Sequence, residues 1–126
     1  MKCFKLKDSG KREQHSSGAV RDIREGKGRH DLMSIFALKR YADIMERGAK
    51  KYDDRNWEKG MPMSRYVDSA IRHILQAMQG LTDEDHWGHA FWNIGAIMHQ
   101  QELIALGILP PELNDLPDYK ERKVDD

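Results

Sequence analysis

From Asp31 onward, Leu32, Ile35, Leu38, Ala42, Met45 and Ala49 recur at spacings of three and four, which gathers them on one face of a helix. Asp31 stands where a cap would start it, and Gly48 where it would end. The stretch RYVDSAIRHILQAMQ predicts a second helix, opened by Ser64 after Pro62 and stopped by Gly80, with Val67, Ala70, Ile71, Ile74, Leu75 and Met78 as its core face. On that wheel Asp68, Arg72 and Gln79 lie opposite the core, and His73 lies at its margin. Thr82 or Asp83 can cap a third helix, which runs through DEDHWGHAFWNIGAIMHQQELIAL and ends near Gly107, before Pro110 and Pro111. No run alternates Val, Ile and Thr with polar residues, so the expected fold is all-α, a small helical bundle.

The segments outside these helices divide the chain. Residues 1–30 are rich in charge, Gly and Ser without an apolar period and predict a basic, irregular N-terminal arm; residues 31–109 are expected to form one helical domain, and residues 110–126 a polar C-terminal tail. Between the first two helices, GAKKYDDRNWEKGMP mixes Gly, Pro, Asp and Asn with two aromatics, the signature of a long structured loop of the kind that often carries function.

Composition changes this picture in three ways. With 126 residues and 39% hydrophobic content, the chain has enough apolar side chains for one modest core, which makes a homo-oligomer a natural expectation. Lys plus Arg and Asp plus Glu balance at 21 each, so nothing in the overall charge argues for a nucleic acid polymer or an anionic membrane, and neither is expected as a partner. No apolar run approaches the roughly 20 residues of a membrane span. The single cysteine, Cys3, has no intrachain partner and no expected role, which makes a reducing cytoplasm the default location.

The third helix carries three faces. Trp87, Ala90, Phe91, Ile94 and Met98 form an apolar stripe expected in the core. His86, His89 and Asn93 stack on a neighbouring stripe. Gly88, Trp92, Gly95 and His99 form the third face. Two glycines on one face cost about 1 kcal/mol each against Ala, which implies close approach of another backbone, expected to be a subunit interface. Imidazoles at i and i+3, with an acid such as Asp85 four residues before His89, can converge on one divalent cation if another group joins them, and His73, Asp83 and Glu84 are the candidates. A bland reading stands beside each: hydrogen-bonded structural histidines, acids that favour the positive end of a helix dipole, and an Asp68–Arg72 surface pair.

In order, GKGRHDL, GAKKYDDRNWEKG, SRYVDSAIRHILQAMQG and DEDHWGHAFWNI resemble the phage MazZ-like dATP/dGTP diphosphohydrolase family, related to the all-α MazG-type nucleotide pyrophosphohydrolases, over residues 18–100 or so. The resemblance implies an oligomeric helical bundle in which acidic residues hold magnesium or manganese against a nucleoside triphosphate, water attacks the α-phosphorus, and a monophosphate and pyrophosphate are released. MazG-type enzymes carry Glu-Glu-x-x-Glu and then Glu-x-x-Asp; this chain carries Asp68, Arg72 and His73, and then His86-x-x-His89. Imidazoles extend the expected metal to cobalt or zinc.

The leading expectation is therefore a metal-dependent pyrophosphohydrolase acting on purine deoxynucleoside triphosphates. In it His73, Glu84, Asp85, His86 and His89 are the metal-ligand candidates, with Glu84, Asp85 and His89 the candidates for catalysis. Lys27, Arg29, Lys51 and Arg72 would face the phosphates, and Tyr52, Asn56, Trp57 and Asn93 would complete the nucleotide site. The alternative is a non-catalytic module that sequesters a nucleotide. A weaker third reading, an HD-type phosphohydrolase, rests on the dipeptide His30-Asp31.

Overall fold

The computed structural model describes residues 4–121; Cys3 lies outside the described residues. The chain divides into two compact units, residues 1–33 and 34–126. In the first, the arm expected to be irregular holds a two-stranded antiparallel ladder, β1 (Arg12–Gln14) and β2 (Val20–Asp22), with Arg12 opposite Asp22 and Gln14 opposite Val20. Such short polar strands leave no periodic trace. What ties them is Asp22, which accepts from the backbone N–H and hydroxyl of Ser9 and from Lys27 Nζ at 2.9 Å. These donors hold its carboxyl well below the usual range, the Ser9 hydroxyl first among them.

The second unit is mostly helical: α1 (Ile35–Lys51), α2 (Met63–Met78) and α3 (His86–Ala105). Among the described residues no helix is long and apolar enough to cross a membrane. The helix starts differ from the sequence expectation because side chains found better partners. Ser34 caps α1 by accepting from the Ala37 N–H at 3.1 Å, while Asp31 sits in a 3₁₀ turn over His30–Leu32, paired with Arg29. Gly48 lies inside α1, whose last turn closes from the Tyr52 N–H onto the Gly48 carbonyl. At α2, Ser64 does not cap: its N–H and hydroxyl donate to Asp115, at 2.8 and 2.5 Å. The carboxylate that complements this helix start thus comes from the C-terminal segment. Asp85 caps α3 by accepting from the Gly88 N–H at 3.0 Å.

Contacts between α2 and α3 run in opposite order along the two helices, Met63 with Gln100, Ser69 with Asn93 and His73 with His86, so the pair is antiparallel. The Gln100 side chain clamps the Met61 backbone, donating to its carbonyl at 2.9 Å and accepting from its N–H at 3.1 Å. Helix α1 crosses α3 on its glycine face. A methyl group at Gly88 would come within 2.7 Å of Ile44 Cδ1, Gly95 lies beside the Tyr41 ring, and the Trp92 indole N–H points at Met45 Sδ, 2.9 Å away. The close approach expected at a subunit interface is made by α1 of the same chain.

The buried faces overlap the expected ones only in part, through Ala70 on α2 and Ala90 on α3. On α2 the buried residues are Met63, Tyr66, Ala70 and His73; on α3 they are His86, Gly88, Ala90, Asn93, Ala96 and Gln100. On α1 it is Ile44 that is buried. The expected core residues Ile71, Leu75 and Met78 on α2, Trp87, Phe91, Ile94 and Met98 on α3, and Leu32, Ile35 and Leu38 in the first apolar run are exposed. A small apolar cluster around Met63, Tyr66 and Ala96, joined by Met61, Trp92 and Ile97, fills the space between α2 and α3. The wheel identified the apolar stripes; in this chain polar residues and glycine occupy much of the contact, for reasons the candidate site makes clear.

Candidate functional site

Between the first turn of α3 and the middle of α2, three histidines meet. His73 and His86 are both buried and bring their Nδ1 atoms to 2.9 Å, while His86 Nε2 lies 2.8 Å from Asp83 Oδ1. A carboxylate can only accept, so His86 donates from Nε2; with His86 neutral its Nδ1 is then bare and accepts from the Nδ1–H of His73. That assignment leaves the lone pair of His73 on Nε2. The Asp83 carboxyl is held below its ordinary value by the His86 hydrogen bond, and His73 is shifted down by burial and then by His89. His89 stacks on His73, ring centroids 4.8 Å apart and planes 15° from parallel.

Three groups here are placed to hold one cation: donor atoms of His73, Glu84 and His86 lie within 4.8 Å of one another. Two imidazoles and one carboxylate suit manganese, cobalt or zinc better than magnesium, which favours an all-oxygen shell. The donor set fits a first-row divalent ion. The His86–Asp83 bond has the form of an outer carboxylate that orients a ligating imidazole, and a cation on His86 Nδ1 would take the place of the His73–His86 hydrogen bond.

Glu84 and His89 also line a cleft of about 660 Å³, within the range of small-molecule sites. Its far wall comes from α1 and the following loop: Lys51, Tyr52, Asn56 and Trp57 from the expected set, together with Arg47, Asp53 and Asp54. The loop contains a 3₁₀ turn over Asn56–Lys59, and the His99 ring packs on Trp57 at 4.6 Å. Trp92 and Met61 add apolar lining.

Other candidate residues are placed elsewhere. Asp85 is bound twice over, by the Gly88 N–H and by Arg40, whose Nε donates at 2.9 Å, and Arg40 lowers its carboxyl to about 2. Asn93 is buried and spends its amide hydrogens on Ser69 Oγ and the His89 carbonyl, which fixes the α2–α3 register at the histidines. Arg72 is exposed on α2 and is not among the residues lining the cleft. Lys27 and Arg29 pair with Asp22 and Asp31 inside the N-terminal unit.

Residues 17–105 match the family described as dATP/dGTP diphosphohydrolase, N-terminal, which covers most of the chain. The chain belongs to that family. Its name implies a nucleotide substrate, and the cleft and the histidine cluster both lie inside the matched segment. No curated protein and no solved structure matches the chain.

Sequence reasoning missed Asp53, Asp54 and Arg47 as cleft residues, and Gln100 as the clamp on the loop. Their signal was weak, because acids beside a Tyr in a loop read as ordinary turn chemistry. Asp83 was legible as one of several acids near His86, but its bond to Nε2 depends on the turn before α3.

Proposed function

We propose that the protein is a metal-dependent pyrophosphohydrolase that converts purine deoxynucleoside triphosphates to the monophosphate and pyrophosphate, acting as a homo-oligomer. The observation that carries this reading is the convergence of His73, Glu84 and His86, of which Glu84 also lines a nucleotide-sized cleft. Four carboxylates, Asp53, Asp54, Asp83 and Glu84, line that cleft against two full cations, Arg47 and Lys51. A triphosphate would be repelled by such a lining unless divalent cations entered with it, which supports metal dependence over a purely basic phosphate site.

His73, Glu84 and His86 would hold the cation. When bound, the ion supplies charge neutralisation of the phosphate oxygens and a lowered pKa for water. The chain's own groups do the rest. His89 lines the cleft beside this cluster and is the base that takes a proton from the attacking water. The water oxygen forms a bond to the α-phosphorus, the bond from that phosphorus to the α,β-bridging oxygen breaks, and pyrophosphate leaves with the bonding pair. Lys51 and Arg47 offset the charge that develops on it. Trp57, Tyr52 and Trp92 offer aromatic faces to the base, and Asn56 a polar edge. Asp85, already held by Arg40 and the helix start, serves as a structural anchor in this reading. Arg72, Asn93, Lys27 and Arg29 are given no contact with the substrate.

The test is direct. The protein is incubated with each deoxynucleoside triphosphate and with magnesium, manganese, cobalt or zinc in ¹⁸O-labelled water. The expected result is a monophosphate that carries the label and unlabelled pyrophosphate, lost on chelation and in Glu84→Gln. Intact triphosphate under every metal overturns the reading, and a bound nucleotide recovered unchanged after denaturation would favour the sequestering module instead.

A further inference from the structure

Of the ten glycines in the chain, seven have a positive φ that side chains disfavour, and Gly88 and Gly95 on α3 face α1. Gly48 has neither reason to be glycine. It does not end a helix, since α1 continues through Lys51. A methyl group there would meet no heavy atom within 4 Å among the described residues, its own helix backbone and chain neighbours aside. After proline, glycine is the residue least favourable to a helix interior. Helix α1 therefore gives up stability at this position without gaining a contact inside the chain. Gly48 does, however, line the cleft.

Ile44 and Tyr52, four residues to either side on the same stripe of α1, line the cleft as well. They bracket a notch of bare backbone about 12 Å long. The Gly48 carbonyl is hydrogen-bonded to the Tyr52 N–H at 2.8 Å, and backbone groups inside a helix are likewise satisfied by the helix itself. The notch thus presents a flat surface with little polarity of its own, which suits the face of a ring and gives a phosphate no donors. We infer that Gly48 is a specificity-determining contact: the base of the nucleotide lies flat on the α1 backbone at this residue, among the aromatic side chains of Tyr52, Trp57 and Trp92. A glycine is what allows a backbone and a ligand to approach so closely. The size of residue 48 then sets whether a ring can seat there. The inference rests on the reading of the cleft as a nucleotide site.

The test reads stability and binding on the same variants. Gly48→Ala and Gly48→Leu are compared with the unmodified chain and with Gly95→Ala, a helical glycine that does not line the cleft. Alanine and leucine are both good helix formers and differ in bulk, so together they separate the space at residue 48 from the stiffness of α1. Without nucleotide, Gly48→Ala and Gly95→Ala should each raise Tm by about 3–5 °C. In calorimetry with manganese and a nonhydrolysable purine deoxynucleoside triphosphate, Gly48→Ala should bind about tenfold more weakly and Gly48→Leu about a hundredfold or more. Gly95→Ala should bind as the unmodified chain does. A higher Tm together with a lower affinity is the reverse of what a merely structural glycine gives, whose replacement lowers both. The inference is overturned by an unchanged affinity in Gly48→Ala, by a lowered Tm in that variant, by equal losses in the alanine and leucine variants, or by a matching loss in Gly95→Ala. Should Gly48→Leu fail to fold, Gly48→Ala beside Gly95→Ala decides alone. An unmodified chain that binds no purine analogue overturns the nucleotide reading and the inference together, whereas one that binds it no more tightly than Gly48→Ala overturns the inference alone.

Discussion

Gly88 and Gly95 sit seven residues apart on the same face of α3, yet replacing each by alanine should change stability in opposite directions. Alanine in place of glycine favours a helix by about 1 kcal/mol. At Gly95 the added methyl meets only the Tyr41 ring, at 3.8 Å, an ordinary contact, so most of that gain should be realised. At Gly88 it would meet Ile44 Cδ1 and Asp85 Cγ, both at 2.7 Å. Neither neighbour can yield freely. Ile44 is the buried residue of α1, and Asp85 is pinned by Arg40 and by its bond to the Gly88 N–H itself. Overpacking of this kind costs about 1–3 kcal/mol, and a displaced cap costs about 1 kcal/mol more. The net expectation is a loss of about 2 kcal/mol for Gly88→Ala and a gain of about 0.5–1 kcal/mol for Gly95→Ala, taking the helix preference into account. In a domain of this size the former is a drop of roughly 10 °C in Tm. Thermal and urea unfolding followed by circular dichroism measure both, at one fixed protein concentration because self-association would shift every midpoint. A Gly88→Ala chain at least as stable as the unmodified one would refute the reasoning, since it would mean that α1 withdraws without cost.

Three further outcomes are expected. Asp83→Asn should weaken manganese binding by about 10–100-fold in calorimetry while leaving the helical content intact, because an amide orients His86 less strongly than a carboxylate; unchanged affinity would remove His86 from the ligand set. Trp57→Ala should weaken binding of a nonhydrolysable purine triphosphate by about tenfold or more if the indole stacks on the base, and an unaltered affinity would place the base elsewhere. The Ser64 hydroxyl and then its N–H hold the Asp115 carboxyl below its ordinary 3.8, so the contribution of this contact is fully present above 3.8 and is lost as pH falls through the lower folded value. The protection of the Ser64 amide from exchange should fall in that acidic window and should be low at all pH in Asp115→Asn; a protection factor that does not change with pH would show that the contact does not form.

The sequence by itself determined which stretches are helical, because a spacing of three and four is a local property that survives any arrangement of the helices. It also determined the chemistry on offer: the histidines, the acids before the third helix, the aromatic loop, and the order of blocks that marks the family. The four expected residues Lys51, Tyr52, Asn56 and Trp57 do line one cleft. Tertiary structure decided which helix face meets which. An apolar stripe says only that it avoids water, and it is satisfied equally by the chain's own core or by another surface. Here the α2–α3 contact went to residues that hydrogen-bond across it, such as Asn93 with Ser69 and His86 with His73. Tertiary structure likewise assigned the acids, none of which the spacing distinguishes. Asp85 is drawn to Arg40, 45 positions away in the chain, and to its own helix start, while Asp83 is left to hold His86 and Glu84 to join the two buried imidazoles. Spacing fixes what one helix can present, but only the crossing of separate elements fixes which neighbour each polar group has to satisfy.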